Sequence, residues 1–398
     1  MKLTTTFWSS LGFARSALPN TIHIMKYFPF LKKYTHLFLL AAFLLPGVTV
    51  AQAESPSAPE IWKAKVISIT DERNEIIFET EYLVQIMQVE VLEGPQKGNT
   101  IEIENDFQAL EEGDRFYFRS SVFGDGEVVY TVTHLARGGS LLFLLGIFVL
   151  AVVTFGRWQG VRSLIALVVS FMAIIFILIP GILNGWNPLL ASFLVAATIL
   201  FAAIFFTHGF NKESLVAYSG TMIAVGLSGV FAIFAVSITK LSGFAADEAV
   251  SLNMDTGGAI NFTALLLGAF IIGFLGVLDD IAITQSAVVT ELYRSNPEIS
   301  KREVYMRAMR VGREHVGALV NTLVLAYTGA SLPLLLYVYL SPASFGSMIH
   351  LEIFATEVVR VIVGSVGLIL TVPIVTFLAV HYLKGYKSKH GHHHGHGH

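Results

Sequence analysis

The segment INFTALLLGAFIIGFLGVLDDIAI, residues 260–283, decides the fold class. Its first nineteen residues carry no charge, and two carboxylates, Asp279 and Asp280, follow them. An α-helix rises about 1.5 Å per residue, so roughly 20 apolar residues cross the roughly 30 Å of hydrocarbon in a bilayer. The segment therefore predicts a transmembrane helix with two adjacent carboxylates near one end.

The composition of the whole chain is that of an integral membrane protein. Of its 398 residues, 54% are hydrophobic and 14% are charged, and the mean hydropathy is +0.65, whereas soluble proteins are about 25% charged. The net charge of −3 gives no support for nucleic acid as a partner, which requires a clustered basic face. The sequence contains no cysteine, which excludes disulfides, thiol nucleophiles and cysteine zinc sites.

Apolar segments recur through residues 138–386, which we interpret as the membrane domain. Seven of them are long enough to cross a bilayer. They lie at residues 140–156, 163–183, 187–207, 215–238, 260–283, 316–340 and 359–383.

The distribution of basic residues predicts the orientation of these segments. If the region before residue 138 is outside, twelve Lys and Arg residues fall in the inner connections and only Lys240 falls in an outer one. Cytoplasmic loops of membrane proteins carry such an excess of positive charge. We therefore predict a multi-pass protein of the bacterial cytoplasmic membrane, with its N-terminal domain outside and its C-terminus in the cytoplasm.

Residues 25–53 have the pattern of a secretory signal peptide. Lysines precede an apolar run at residues 37–50, and Ala51-Gln52-Ala53 provides small residues at the spacing of a cleavage site. We predict cleavage after Ala53 and interpret residues 1–24 as an extension before the natural start. An uncleaved membrane anchor is the alternative.

Residues 54–137 change abruptly to a charged, alternating pattern that predicts a small extracytoplasmic β domain. We expect an OB-like or SH3-like barrel that serves as an interaction or gating cap, because the sequence shows no groove of aromatic and basic residues. The strand-like runs lie at residues 63–70, 83–92, 100–105, 115–121 and 127–134, separated by Gly-, Asn- and Asp-containing turns.

The two carboxylates of the fifth segment are the sharpest functional signal, because charge inside a membrane is costly unless it is paired, hydrated or functional. Asp280 shares a helical face with the small residues Ala269, Gly273 and Gly276, which we expect to pack against another helix. We predict that Asp280, with Asp279 beside it, binds a coupling cation or a proton. The alternative is that both residues mark the membrane–water boundary.

The sixth segment offers the expected partner surface. Glu314, His315, Asn321 and Thr322 form a polar stripe along it. Together with Asp280 they would supply oxygen and imidazole ligands, which suit protons or hard cations. Helix–helix hydrogen bonding explains Asn321 and Thr322 equally well.

Two further groups of residues could carry chemistry. Glu357 and Arg360 lie one turn apart in the seventh segment and are expected to form a structural ion pair or a gate. The interspersed glycines and histidines at residues 387–398 predict a flexible tail whose imidazoles bind Ni, Zn, Co or Cu, unless the tail is an added tag. No other cofactor is predicted. The tail histidines are His390, His392, His393, His394, His396 and His398.

Three motifs carry a family resemblance: GFLGVLDDIAITQ at 273–285, REHVGALVNTLVLAYTGASLPLLL at 313–336 and ATEVVRVIVGSVGLILTVP at 355–373. Together with the layout of a β domain followed by about seven helices, they resemble the YibE/F-like family of bacterial membrane proteins, over nearly all of residues 61–384. The resemblance implies that the carboxylates, the polar stripe and the Glu357–Arg360 pair form a connected polar set. It implies no substrate.

The expected fold is therefore a polytopic α-helical membrane protein with a small N-terminal all-β domain. The expected function is a secondary transporter or permease with a proton or cation site between the fifth and sixth helices. The alternative is a non-catalytic membrane scaffold or envelope accessory protein that recruits partners through its β domain. An enzyme is not expected, because the sequence holds no H-E-x-x-H, G-x-S-x-G or P-loop motif. The expected partners are the lipid bilayer, a small ion or solute, and a second copy or an envelope protein.

Overall fold

The computed structural model describes residues 61–77, 80–122, 128–342 and 344–385. The predicted signal peptide, the extension before it and the histidine-rich tail lie outside these residues. Within them, an antiparallel β-sheet is followed by a series of mostly apolar helices.

The sheet has five strands, which coincide with the five predicted runs. All neighbouring strands are antiparallel, in the order β3-β2-β1-β4-β5. Alternate residues on β1, β2, β3 and β4 fill a core that contains Met87, Ile103, Phe116 and Phe118. The strands are β1 (Ile61–Ile77), β2 (Thr80–Val91), β3 (Thr100–Asn105), β4 (Arg115–Val122) and β5 (Val128–Leu135).

The predicted closed barrel is not confirmed. Irregularities between Val66 and Ser68 and between Ile69 and Asp71 disturb the register of β1 against β2, and bulges of this kind bend a strand. The bend brings some Cα atoms of the edge strands β3 and β5 within 8 Å of one another. No ladder of hydrogen bonds joins these two strands in the described part of the sheet, so the sheet is curved but open.

The helical region begins three residues after β5. Its helices, numbered in chain order, are α1 (Gly138–Ala173), which continues through a π-helical turn (Ile174–Leu178) into α2 (Ile179–Leu183), then α3 (Pro188–His208), α4 (Lys212–Thr239), α5 (Asp247–Asp255), α6 (Phe262–Ser295), α7 (Lys301–Ala330), α8 (Leu332–Leu340), α9 (Phe345–Met348) and α10 (Glu352–Tyr382).

Five helical stretches are long and apolar enough to cross a membrane: Gly138–Leu183, α3, α4, α6 and α10. The pair α7–α8 gives a sixth if its two parts, bent by 65°, count as one span. The chain is therefore a membrane protein of five or six apparent spans, and the predicted number of seven is not confirmed. Two irregular helices account for the difference.

The first irregularity lies at Arg157. The stretch Gly138–Leu183 has 46 residues and would extend about 70 Å as one straight helix, more than twice the hydrocarbon thickness. Arg157 has non-helical angles, φ 47° and ψ −135°. A Cβ atom on Gly160 would overlap the carbonyl oxygen of Val152, two turns earlier, so the chain turns sharply at this point.

The second irregularity separates α7 from α8. The predicted sixth segment, residues 316–340, crosses this bend. Pro333 lies at the start of α8 and cannot donate a backbone hydrogen bond to the preceding turn. The bend therefore has a local cause in the sequence.

Small residues bring the central helices α4, α6 and α10 together. A Cβ atom on Gly220 of α4 would lie 2.6 Å from Cγ2 of Val375, and one on Gly367 of α10 would lie 2.7 Å from Oγ of Ser228. Helices in membranes associate through such close contacts, because lipid provides no hydrophobic force between them. Phe270 and Leu278 of α6 are buried in the resulting core.

We predict that Gly94→Ala destabilises the sheet. Gly94 has φ +95°, and an added Cβ would lie 2.6 Å from Cγ of Trp62. The indole must move, which costs about 1–3 kcal/mol beyond the backbone strain. The measurement is protease resistance of the β domain in the full-length protein along a temperature series.

The matched control is Gly98→Ala. Gly98 has φ +87° with open space around it, so this variant bears only the backbone cost of about 1–2 kcal/mol. Equal loss of protease resistance in the two variants would contradict the packing role of Gly94.

Candidate functional site

Asp279 and Asp280 line a cavity of about 470 Å³ that lies between α1, α3 and α6 and is open on one side. This volume lies within the range of small-ligand sites, roughly 300–1,000 Å³. Most of the wall is apolar. The polar lining consists of Ser163 and Ser170 from α1, Thr207 and His208 from α3, and Asp279 and Asp280 from α6.

Helical spacing places the two carboxylates on the cavity wall. Ile272, Leu275, Gly276 and Ile283 also line the cavity, three to eight residues from Asp279 or Asp280, which is the spacing of one helical face. Asp279 is half-buried and Asp280 is exposed. The backbone N–H of Asp280 donates to Oδ1 of Asp279 at 2.9 Å, which turns the Asp279 carboxylate toward its own backbone.

His208 faces the carboxylates from the end of α3. The helix ends there because Gly209, with φ +84°, turns the chain away. Asp280 lies within electrostatic range of His208. The cavity thus combines two adjacent acids with one base and three hydroxyl groups, a set that can hold a proton or a cation with oxygen ligands.

The polar stripe predicted on the sixth segment does not line the cavity. Glu314, His315, Asn321 and Thr322 are exposed on α7, and no described residue of α7 lines the cavity. Thr322 donates to the carbonyl of Ala318 in its own helix at 3.0 Å. The reason is the packing order, since α7 packs mainly on α10, whereas α3 covers another side of α6.

The small residues predicted to share one packing face of α6 do not all pack against another helix in the structure. Ala269 is exposed, and a Cβ atom added to Gly276 would meet no other atom within 4 Å, because this residue borders the cavity. Gly273 is closer to a neighbour, since an added Cβ would lie 3.1 Å from the hydroxyl of Tyr327 on α7. The tightest approach on α6 is at Gly268, where a Cβ would overlap Oγ of Ser192 on α3.

Glu357 and Arg360 form an ion pair on α10, with 2.8 Å between Oε1 and Nη1. The Arg360 guanidinium also lies over the rings of Phe270 and Tyr327, 5.8 Å and 5.9 Å from their centroids. These aromatic contacts join α10 to α6 and α7. The pair lies outside the lining of the carboxylate cavity.

Gln285 of α6 is a buried polar residue that the sequence analysis did not single out. Its amide nitrogen donates to the carbonyl of Ala308 at 2.9 Å and to Oγ1 of Thr376 at 2.7 Å, which links α6 to α7 and α10. Gly312 is needed beside it, because an added Cβ would lie 3.0 Å from Oε1 of Gln285. An amide within the apolar motif GFLGVLDDIAITQ was the signal that could have revealed it.

Glu352 at the start of α10 is a second residue that the sequence analysis missed. Its carboxylate accepts hydrogen bonds of 2.8 Å from the backbone N–H groups of Ser242 and Gly243 and from the Ser242 hydroxyl. Thr263 donates to the carbonyl of Ser242 at 2.9 Å. The bonds to Glu352 connect residues more than a hundred positions apart, so no local pattern could indicate them.

Among the described residues, no group of three or more His, Asp or Glu side chains is placed to hold a metal ion without other ligands. The six tail histidines lie outside these residues. Binding of Ni, Zn, Co or Cu by the tail therefore stays a prediction.

Five or six apolar helices long enough to cross a bilayer define a polytopic membrane protein. Residues 144–385 match the YibE/F-like protein family, and the chain belongs to this family. The match spans the helical region and excludes the sheet. No curated protein and no solved structure matches the chain.

We predict that alanine at two glycines of α6 has different effects on the stability of the bundle. Gly268→Ala should destabilise the bundle by about 1–3 kcal/mol, because the new methyl group forces α3 and α6 apart. Gly276→Ala should leave stability unchanged or raise it by about 1 kcal/mol, because alanine favours helix and the cavity has room. Thermal aggregation of the purified proteins in detergent measures both, and destabilisation by Gly276→Ala would show that the cavity is absent.

Proposed function

We propose that the protein is a secondary transporter or permease whose proton or cation site is the cavity lined by Asp279 and Asp280. The observation that carries this proposal is the position of two adjacent carboxylates on the wall of a 470 Å³ cavity between helices. The proposal keeps the predicted acids and replaces the predicted α7 stripe with groups from α1 and α3.

The electrostatics of the cavity favour an ion. A carboxylate inside a membrane is costly unless it is paired, and two neighbouring carboxylates disfavour each other's charged form. Binding a cation or a proton relieves both costs. The hydroxyl groups of Ser163, Ser170 and Thr207 add hard oxygen ligands.

The helix beside the cavity also supports a transport role. Ile174 lines the cavity and is the first residue of the π-helical turn that follows α1. Such turns occur mostly as single insertions in α-helices, frequently at functional sites. A helix that departs from regular geometry next to the carboxylates is a place where the cavity wall can rearrange.

The proposed transporter crosses the membrane seven times. The turn at Arg157 separates a first crossing at residues 140–156 from a second at 163–183, and α7–α8 forms the sixth. The β domain is then outside and the C-terminus in the cytoplasm of a bacterial cell, as the basic residues of the loops favour.

A non-catalytic scaffold is the second candidate. The sheet lies outside the residues matched by the family. Its β3 strand carries carboxylates and its β4 strand carries arginines, a separation of charge that suits a binding partner. Under this alternative the carboxylates on α6 would be dispensable. Flux measurements separate the two candidates.

We predict that Asp279→Asn lowers proton or cation flux in proteoliposomes by about tenfold or more, because a lost charged ligand costs on the order of 1.5–3 kcal/mol. Asp280→Asn should act in the same direction. The flux is followed with a pH-sensitive dye inside the vesicles under imposed proton, sodium, potassium and magnesium gradients.

The control for this experiment is Glu291→Gln on the same helix. Glu291 pairs with Arg294 at 3.4 Å, is largely exposed and does not line the cavity. Its replacement should leave flux unchanged. Absence of flux in the wild-type protein under all four gradients would contradict the transporter and favour the scaffold.

The seven proposed crossings predict the side from which single cysteines can be labelled. Because the chain has no cysteine, each single-cysteine variant carries one label site. Gln159→Cys and Glu298→Cys should react with a membrane-impermeant maleimide only from the cytoplasmic side, and Asp255→Cys only from outside. Failure of Gln159→Cys to react from the cytoplasmic side would contradict a separate first crossing.

A further inference from the structure

The outer surface of the sheet is divided by charge. Residues 61–70 of β1, together with β4 and β5, contain no carboxylate. The rest of β1, with β2 and β3, carries carboxylates and only one base, Arg73. We call the carboxylate-free surface the basic face, which consists of Lys63, Lys65, Arg115, Tyr117, Arg119 and His134.

Strand register assembles the basic face from distant parts of the chain. Lys63 is opposite Tyr117, Lys65 is opposite Arg115, and Tyr117 is opposite His134. The Lys63 ammonium lies 5.6 Å from the centroid of the Tyr117 ring, which stacks on His134 at 4.9 Å. This surface is not visible along the chain, because it depends on the pairing of β1 with β4.

The basic face forms no ion pair within the described part of the sheet. The ion pairs there all belong to Arg73, which contacts Asp71, Glu75 and Glu104. The hydrogen bond to Glu75 is the main reason why the pKa of Arg73 is raised. Lys65 lies between Glu90 of β2 and Arg115 of β4, so one acid borders the face and two bases are directly opposite each other within it.

The basic face adjoins the point at which the chain enters the membrane. The N–H of Ala136 donates to the carbonyl of Arg115 at 2.8 Å, and α1 begins two residues later at Gly138. Two residues reach at most about 7 Å. The headgroup layer on each side of a bilayer is roughly 5–8 Å thick, so the Lys65–Arg115 end of the face lies within reach of it.

We propose that the basic face binds the anionic headgroups of the bilayer that α1 enters. Arginine and lysine make charge-assisted hydrogen bonds to phosphate oxygens, and tyrosine is enriched at membrane interfaces. The covalent connection to α1 holds the face at high effective concentration beside lipid phosphates. This connection favours lipid over the acidic half of a second copy, which would have to approach from elsewhere.

The experiment uses the full-length protein at one copy per nanodisc, with a fluorophore on Thr131→Cys. Thr131 is exposed on β5, opposite Arg119. Lipids with a headgroup nitroxide quench a nearby fluorophore. We expect more quenching in phosphatidylcholine discs that contain phosphatidylglycerol than in pure phosphatidylcholine discs, with the difference lost at high salt. A label on Glu102→Cys, on the acidic half of the sheet, should show no such difference.

Charge reversal provides the second measurement. Losing one basic side chain near an anionic surface weakens binding by about fivefold. In Lys63→Glu/Lys65→Glu/Arg115→Glu, the quenching difference should therefore fall by at least about fivefold. The matched variant Lys63→Arg/Lys65→Arg/Arg115→Lys keeps every charge and should keep the difference.

Two outcomes would overturn the proposal. One is equal quenching of the wild-type Thr131 label in neutral and anionic discs, a result that does not depend on the folding of any reversal variant. The other is quenching that follows the number of copies per disc rather than lipid charge, which would assign the face to the acidic half of a second copy.

Discussion

The hydrocarbon of a bilayer offers no hydrogen bonds, and this constraint organises the polar groups of the helical domain. Most buried hydroxyls donate to carbonyls in their own helix, as Ser228 does to Ala224 and Thr371 to Gly367. Gln285 instead joins three helices through its amide. The Asp279 carboxylate accepts one hydrogen bond from the backbone of its own helix, and both carboxylates border the cavity between α1, α3 and α6.

The helix α6 therefore has two different polar faces. One presents the carboxylates to α1 and α3, and the other presents Gln285 to α7 and α10. Small residues at the contacts, such as Gly268 and Gly312, allow the neighbouring helices to approach each face. The proposed ion site and the hydrogen bonds of Gln285 that join three helices thus depend on the same helix.

The sequence predicted the membrane class and the five strands, because these depend on local hydropathy and periodicity. The role of Asp279 and Asp280 as an ion or proton site stays a prediction. The sequence also placed a break between the first two segments at residues 157–162, and the non-helical angles of Arg157 fall there. It also misassigned the neighbour of the carboxylates, since apolar helices with similar small residues do not encode which of them pack together. The basic face escaped detection for the same reason, because strand register is a property of the fold.

The hydrogen bonds that Glu352 accepts from the loop at Ser242 and Gly243 have a consequence for biosynthesis. The loop emerges from the ribosome well before α10, and until α10 arrives its two N–H groups lack the carboxylate that binds them. A nascent chain that stops short of Glu352 can insert its earlier helices but lacks the hydrogen bonds between this loop and α10. Among the described helices, α10 is translated last and therefore completes this end of the bundle.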